Sequence, residues 1–141
     1  MFVNFKKVSK DAIVPHYANP GDAGADLYAS QDFIVKAHRV GAVPTGIAIE
    51  LPKSYVAYVN PRSSMAMKGI GILNAPGTID SGYRGEIKVI LVNNTDEDFY
   101  VAKGNKIAQL VFQVYHEAVF KEVKELSNSV RGTDGFGSTG E

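Results

Sequence analysis

A succession of short apolar runs, each too short for a stable helix and each closed by a turn signal, constrains the fold of this chain most tightly. The runs are "FVNFKKV" (2–8), "DLYAS" (26–30), "DFIVK" (32–36), "GIAIEL" (46–51), "YVAYVN" (55–60), "EIKVILVN" (86–93), "DFYVA" (98–102) and "KIAQLVFQVYHEAVF" (106–120). β-branched and aromatic residues dominate them, as a half-buried pleated surface requires. Between them stand Asn19-Pro20-Gly21-Asp22, Val43-Pro44, Pro52-Lys53, Pro76-Gly77, Asn93-Asn94 and Lys103-Gly104, all turn-forming combinations. Strands this short and evenly spaced predict an all-β sandwich or jelly-roll-like barrel. One short helix is expected near "SSMAMKG" (63–69). "NAPGTIDSGYRGEIKVILVN" (74–93) reads as a β-hairpin or long turn leading into a core strand. There is no internal repeat and no alternation of strands with helices.

After Leu126 the composition changes. "SNSVRGTDGFGSTGE" offers only Val130 and Phe136 for burial, too little to offset its own ordering entropy. The chain therefore divides into a β-barrel domain, 1–126, and a flexible C-terminal arm, 127–141. The arm admits two readings. It is a frayed terminus, or it orders on a ligand, with Arg131 supplying charge, glycine amides and the Ser138 and Thr139 hydroxyls meeting phosphate oxygens, and Phe136 covering a base.

Charge and cysteine content exclude several classes of function. Fifteen basic residues balance fifteen acidic ones, which argues against wrapping a nucleic acid through many phosphate contacts. The absence of cysteine removes disulfides, thiol catalysis and cysteine-ligated metal centres. No run reaches membrane-spanning length, and the N-terminus meets charge by Lys6 without the apolar core of a secretory signal. The expectation is an intracellular protein, cytoplasmic or in another internal compartment.

Four stretches of the body carry residues suited to chemistry. In "NPRSSMAMKG" (60–69), Ser63 and Ser64 precede a helix-prone segment and Arg62 adds a fixed charge. This is either an anion site or a serine helix cap beside an arginine in an internal ion pair. In the 74–93 stretch, Asp80 is either a turn aspartate capping its own backbone or a general base on a water. Tyr83 would wall a ring there, and Asn74 can donate and accept in one plane, as reading a pyrimidine edge requires. In "PGDAGADLYAS" (20–30), Asp22 and Asp26 stand around Gly24; they line a solvated turn, or Asp26 holds waters on a hard cation such as magnesium. Gln109, inside an apolar strand, must find a partner in a neighbouring strand or in a ligand. His16, His38 and His116 lack ligand spacing and are expected in surface or core roles.

Taken in order, "DAGADLYA", "PRSSMAMKG", "NAPGTIDSGYRGE", "KGNKIAQLVF" and "RGTDGFGSTG" resemble the five motifs of the trimeric deoxyuridine triphosphatase (dUTPase) family, over nearly the whole chain. The resemblance implies a jelly-roll-like, β-clip, distorted barrel that assembles as a homotrimer. Its active sites would be shared, with the third motif from one subunit, the first, second and fourth from another, and the arm from the last. It implies hydrolysis of dUTP to dUMP and pyrophosphate, with magnesium (Mg2+) on the triphosphate, and neither nucleic acid nor membrane as partner. By the same resemblance Asp80 activates the water that attacks the α-phosphorus. Tyr83 packs on the deoxyribose and leaves no room for a 2′-hydroxyl. Asn74, Thr78 and Ile79 read uracil, and Lys88 falls near the base. Arg62, Ser63, Ser64 and Gln109 match phosphate contacts. Asp26 holds magnesium through water, the direct ligands being substrate phosphates. Arg131 binds phosphate, Phe136 stacks on uracil, and Gly137, Ser138 and Thr139 meet the terminal phosphate.

The chain departs from the family pattern at two places. Ser64 stands where glycine is usual, and Asp134 where a small residue is usual. Three rival readings accompany the hydrolase. A dCTP deaminase shares the fold, but its glutamate would fall where this chain has Ile90. A non-catalytic dUTP-binding regulator has no need of Asp80. A ligand-free trimeric scaffold leaves the ordered motifs unexplained.

Overall fold

Glu86–Asn93 shows how the alternating pattern builds the body. Ile87, Val89, Leu91 and Asn93 point inward and are buried, while Lys88 is exposed and Ile90 and Val92 are half-buried. In the computed structural model, which describes residues 1–135, this segment is β8. The other strands are β1 (Asn4–Lys7), β2 (Gly24–Tyr28), β3 (Phe33–Val35), β4 (Val40–Glu50), β5 (Tyr55–Asn60), β6 (Ile70–Ile72), β7 (Gly77–Ile79), β9 (Phe99–Val101) and β10 (Lys106–Val114). The helix α1 spans Ser63–Ala66.

All strand pairings are antiparallel. One sheet runs β1-β4-β8-β6, a second β2-β10-β5-β7, and β3 pairs with β9 as a two-stranded ribbon. Leu27, Val35, Val43, Ile47, Val89, Leu91, Val101, Ile107 and Leu110 are almost fully buried within one apolar cluster. Each such side chain contributes about 1.5–3 kcal/mol through burial. The all-β, jelly-roll-like expectation therefore holds, as does the short helix at 63–66.

Several local expectations are corrected. Val43-Pro44 is not a turn. It lies within β4, where Pro44 pairs with Lys88 just before a register shift that ends at Ala48. Proline is tolerated because the ladder is interrupted there. The polar groups at this bulge all find partners. Ser30 N donates to Pro44 O at 2.9 Å, the buried Thr45 Oγ1 donates to Ile87 O at 2.7 Å, and Gly46 N donates to Glu86 Oε1 at 2.8 Å. Gly46 has φ +68°, and a β-carbon on it would stand 2.8 Å from Ala12 Cβ. Glycine is required there on both counts.

β10 ends at Val114 instead of running to Phe120. Its partner β5 begins at Tyr55, opposite Val114, and Tyr115 N makes one last bond to Ser54 O. Beyond that point no strand is available as a template within the chain, among the described residues. Residues 115–134 lie exposed, and Val119, Phe120, Leu126 and Val130 have no apolar cover among the described residues. The 74–93 stretch also differs from a simple hairpin. β7 pairs with β5, whereas β8 pairs with β4 and β6, so the intervening loop crosses from one sheet to the other.

Asn93 closes β8 and organises the turn after it. It is fully buried. Its Nδ2 donates to Val35 O (3.0 Å) and Glu97 O (2.8 Å), and its Oδ1 accepts from Thr95 N (3.0 Å) and Thr95 Oγ1 (2.8 Å). Asn93→Ala strips these partners and leaves buried carbonyls unpaired, so it is expected to cost about 2–4 kcal/mol in urea unfolding. A loss below about 0.5 kcal/mol contradicts this role.

Candidate active site

Two clefts gather eight of the sixteen candidate site residues. The first, of about 180 Å³, opens where β7 leaves its sheet. Val59, Asn74, Thr78, Ile79, Asp80 and Tyr83 line it, with Glu86, Ile87, Lys88 and Ile90 of β8. β7 is the outer strand of its sheet, so its second edge has no strand partner among the described residues. Peptide N–H and C=O groups along such an edge can read the rim of a planar heterocycle, and Asn74 adds an amide. Val59, Ile79 and Ile87 supply an apolar floor, and the half-exposed Tyr83 a flat wall.

The loop beneath Asp80 is fixed at several points. Tyr83 N donates to Asp80 O at 3.0 Å. Arg84 Nη1 donates to Ser81 O (2.7 Å) and Tyr83 O (2.9 Å), and Nη2 to Glu50 Oε1 (3.0 Å), tying the loop to β4. Asp80 makes no side-chain hydrogen bond within the described residues. Its carboxylate, exposed at the cleft, remains available to accept a proton from a water.

The second cleft, of about 380 Å³, lies beside α1 and the β9–β10 turn. Arg62, Ser64, Lys68, Asn105 and Lys106 line it, over Met65 and Phe99. Beneath it lies Asp26, only 2% exposed. Lys106 Nζ meets Asp26 Oδ2 at 2.7 Å, and Arg62 Nε meets Oδ1 at 3.4 Å. Arg62 Nη1 also donates to Lys106 O at 3.2 Å. The hydrogen bond to Asp26 holds the Lys106 ammonium above the usual lysine range, against partial desolvation and the nearby Arg62 charge. Arg62 and Lys106 pair with this carboxylate and Lys68 adds a third cation to the lining, so the cleft favours anions.

Lys68 and Lys106 were missed by the sequence reading. Lys68 stands four residues after Ser64, on the same face of a helical turn, so a spacing signal existed. Lys106 gave no signal of its own. The serine-cap alternative is not what the structure shows, because Arg62 is the helix-capping residue and no side chain caps the helix. The internal ion pair of Arg62 is present, on a carboxylate that also belongs to the cleft. Ser63 does not line the cleft. Asp22 closes its own turn, accepting from Asn19 N at 2.8 Å.

The remaining candidates lie apart from the clefts. Gln109 pairs in register with Asp26 and Asn60 and packs over Gly24, lining neither cleft. Arg131 Nε donates to Asp134 O at 2.9 Å in a local exposed turn. Phe136, Gly137, Ser138 and Thr139 lie outside the described residues. His16 stacks on the Tyr28 ring and His38 pairs with Asp96, as surface or core residues do. The two clefts share no lining residue. Among the described residues no group of three acidic or histidine side chains is placed to hold a metal ion, and Asp26 Oδ1 has no hydrogen-bond partner.

Comparison with known proteins places this geometry. The model of the dUTPase family matches residues 10–140. The deoxyuridine 5′-triphosphate nucleotidohydrolase of Helicobacter hepaticus is 49% identical over 141 residues, covering 99% of this chain and 89% of that protein. Its counterpart in Clostridium acetobutylicum is 50% identical over 139 residues, covering 98% and 96%. The dUTPase of Staphylococcus bacteriophage 80alpha with dUpNHpp superposes with a TM-score of 0.93 at 27% identity, covering 99% of each chain. A mutant dUTPase from phage phi11 of S. aureus, described with a structural Mg(II) ion, superposes at 0.82 and 22% identity, covering 89% of this chain and 98% of that one.

The Asp26 pair makes a signed expectation about pH. Lys106 binds its proton more tightly folded than unfolded. The pair's contribution is therefore complete below the ordinary lysine value of 10.5 and is lost as pH rises through the raised folded value. Lys106→Met is expected to melt below the wild type from about pH 7 to about pH 10, with the gap closing above it. A gap that stays constant at higher pH contradicts the pair.

Proposed function

The chain belongs to the dUTPase family, and on that premise we propose that it is a dUTP diphosphatase whose catalytic base is Asp80. It hydrolyses dUTP to dUMP and pyrophosphate, lowering dUTP and supplying dUMP for thymidylate synthesis. The observation that carries this reading is the first cleft, where the outer edge of β7, Asn74, Tyr83 and Asp80 converge.

Water attacks the α-phosphorus. A bond forms from the water oxygen to that phosphorus, the bond to the bridging oxygen breaks, and pyrophosphate leaves. Asp80 takes the water's proton, a step typically worth about 10²–10⁴-fold. Asn74 and the backbone of Thr78 and Ile79 hold uracil by its pairing edge, with Lys88 at the rim of the same cleft. Cytosine, with the complementary edge, would leave buried polar groups unpaired. Thymine is refused by overlap of its methyl group with the backbone near Gly77–Ile79. Ile90 lines this cleft, where the deaminase reading needs a glutamate.

The second cleft suits the triphosphate. Arg62, Ser64, Lys68 and Lys106 present charge and a hydroxyl. Such fixed charges stabilise the leaving pyrophosphate without reorganisation. The two clefts have separate linings, and in this reading one nucleotide engages the first cleft of one subunit and the second cleft of another. A homotrimer provides this, and the uncovered apolar side chains of 115–130 supply a surface for it. The arm, with Arg131, Phe136, Gly137, Ser138 and Thr139, closes over the bound nucleotide from the remaining subunit. Nucleoside triphosphates are intracellular solutes, which supports a location in the cytoplasm or another internal compartment.

Magnesium fits this site as an ion carried by the substrate. The buried Oδ1 of Asp26 lacks a hydrogen-bond donor and would hold the ion through a coordinated water. When bound, magnesium supplies charge neutralisation on the triphosphate.

Pyrophosphate release is expected from dUTP, with dCTP, dTTP and UTP poor substrates and activity lost on magnesium removal. Ammonia release from dCTP would contradict the hydrolase. Asp80→Asn is expected to lower kcat by about 10²–10⁴-fold while still binding dUTP, and an unchanged kcat removes Asp80 from the mechanism. Deleting residues 128–141 is expected to leave a folded trimer with little hydrolysis, and full activity in that variant refutes the closing arm.

A further inference from the structure

The Tyr83 ring lies directly over the backbone of Gly85. A β-carbon on Gly85 would stand 2.5 Å from Tyr83 Cζ and 2.9 Å from Cε2, and closer still to Oη. Such approaches do not occur between real atoms, so the ring occupies the space a side chain at 85 would need. The backbone itself makes no demand for glycine at this position, because φ at Gly85 is not positive. Gly82, three residues earlier, has nothing within 4 Å of a β-carbon. The nearest obstacles to a side chain at 85 are therefore all atoms of the Tyr83 ring and its hydroxyl.

The ring's tip is anchored as well. Tyr83 Oη donates to Glu86 O at 3.0 Å. Glu86 is fixed in turn, since its Oε1 accepts from Gly46 N at the β4 bulge. Tyr83 thus has one hydrogen bond at its far end and one vacant volume beneath it, and these two set its height above the loop.

We propose that Gly85 is a specificity-determining positioning residue: by leaving room beneath the Tyr83 ring, it sets the ring at the height that excludes a ribose 2′-hydroxyl. This rests on the reading of the first cleft as a deoxyuridine site. Exclusion of one oxygen atom by overlap works only if the wall is placed to a fraction of an ångström. A methyl group at 85 is relieved most cheaply by rotation of the Tyr83 side chain, which is half in solvent. That rotation costs little stability. It breaks the bond to Glu86 O and moves the wall.

The test compares kcat/KM for dUTP and UTP in the wild type, Gly85→Ala, Tyr83→Ala and the double variant, with pyrophosphate release as readout. In Gly85→Ala the dUTP/UTP ratio is expected to fall by about tenfold or more, while the melting temperature stays within about 3 °C of the wild type. In the Tyr83→Ala background, adding Gly85→Ala is expected to change the ratio by less than about twofold, because the coupled partner is already gone. An unchanged ratio in Gly85→Ala, or an equal fall in both backgrounds, overturns the proposal. Should Gly85→Ala fail to fold, folding of the double variant supports the clash with the ring, and failure of both overturns it. A wild type that does not hydrolyse dUTP overturns the deoxyuridine reading itself. A wild type selective for dUTP, with the ratio retained in Gly85→Ala, overturns only the role of Gly85.

Discussion

Between Asp80 and Gly85 the chain leaves the outer edge of one sheet and enters the interior of the other. β7 pairs with β5 on one side of this crossing, and β8 lies between β4 and β6 on the other. The arrangement leaves one edge of β7 without a strand and puts a carboxylate at its end. It also forces a tight loop, held by Arg84 on Glu50 and by Tyr83 Oη on Glu86 O. The bulge at Pro44–Ala48 supports the far end, because Gly46 N grips Glu86. Core packing, the bulge and the loop are thus one mechanical unit. A support of this kind holds the loop between β7 and β8, and the groups it carries, in place.

The second cleft depends on a different balance. Burying Asp26 beneath Arg62 and Lys106 costs desolvation, and the two cations offset it. With only one carboxylate against them and Lys68 alongside, the surplus positive charge faces outward. The same ion pairs that let β2 bury a carboxylate therefore pre-set an anion site. The charges are fixed in place by these pairs, so an anion entering the cleft would meet them with little reorganisation.

Much of this was legible in the residues. The alternation of Ile87, Val89 and Leu91 marked β8, and the ordered motifs marked Asp80, Tyr83, Asn74 and Arg62. What was not legible depended on tertiary partners. Pro44 signals a turn by propensity, yet a bulge absorbs its missing donor. "HEAVF" continues the apolar pattern of β10, yet β5 has ended and the strand has nothing to pair with. β6 is too short to stand out from the turn around it. Lys106 sits in an apolar strand as an ordinary cation until β2 brings Asp26 within 2.7 Å. Gln109 and Ser63 line neither cleft.

The account turns on a water held by Asp80 at the phosphorus nearest the sugar. Hydrolysis of dUTP in oxygen-18 water, with mass analysis of both products, tests this most directly. One labelled oxygen in dUMP and none in pyrophosphate is the predicted result. Label in pyrophosphate would mean that water attacks a different phosphorus, and would contradict the placement of Asp80.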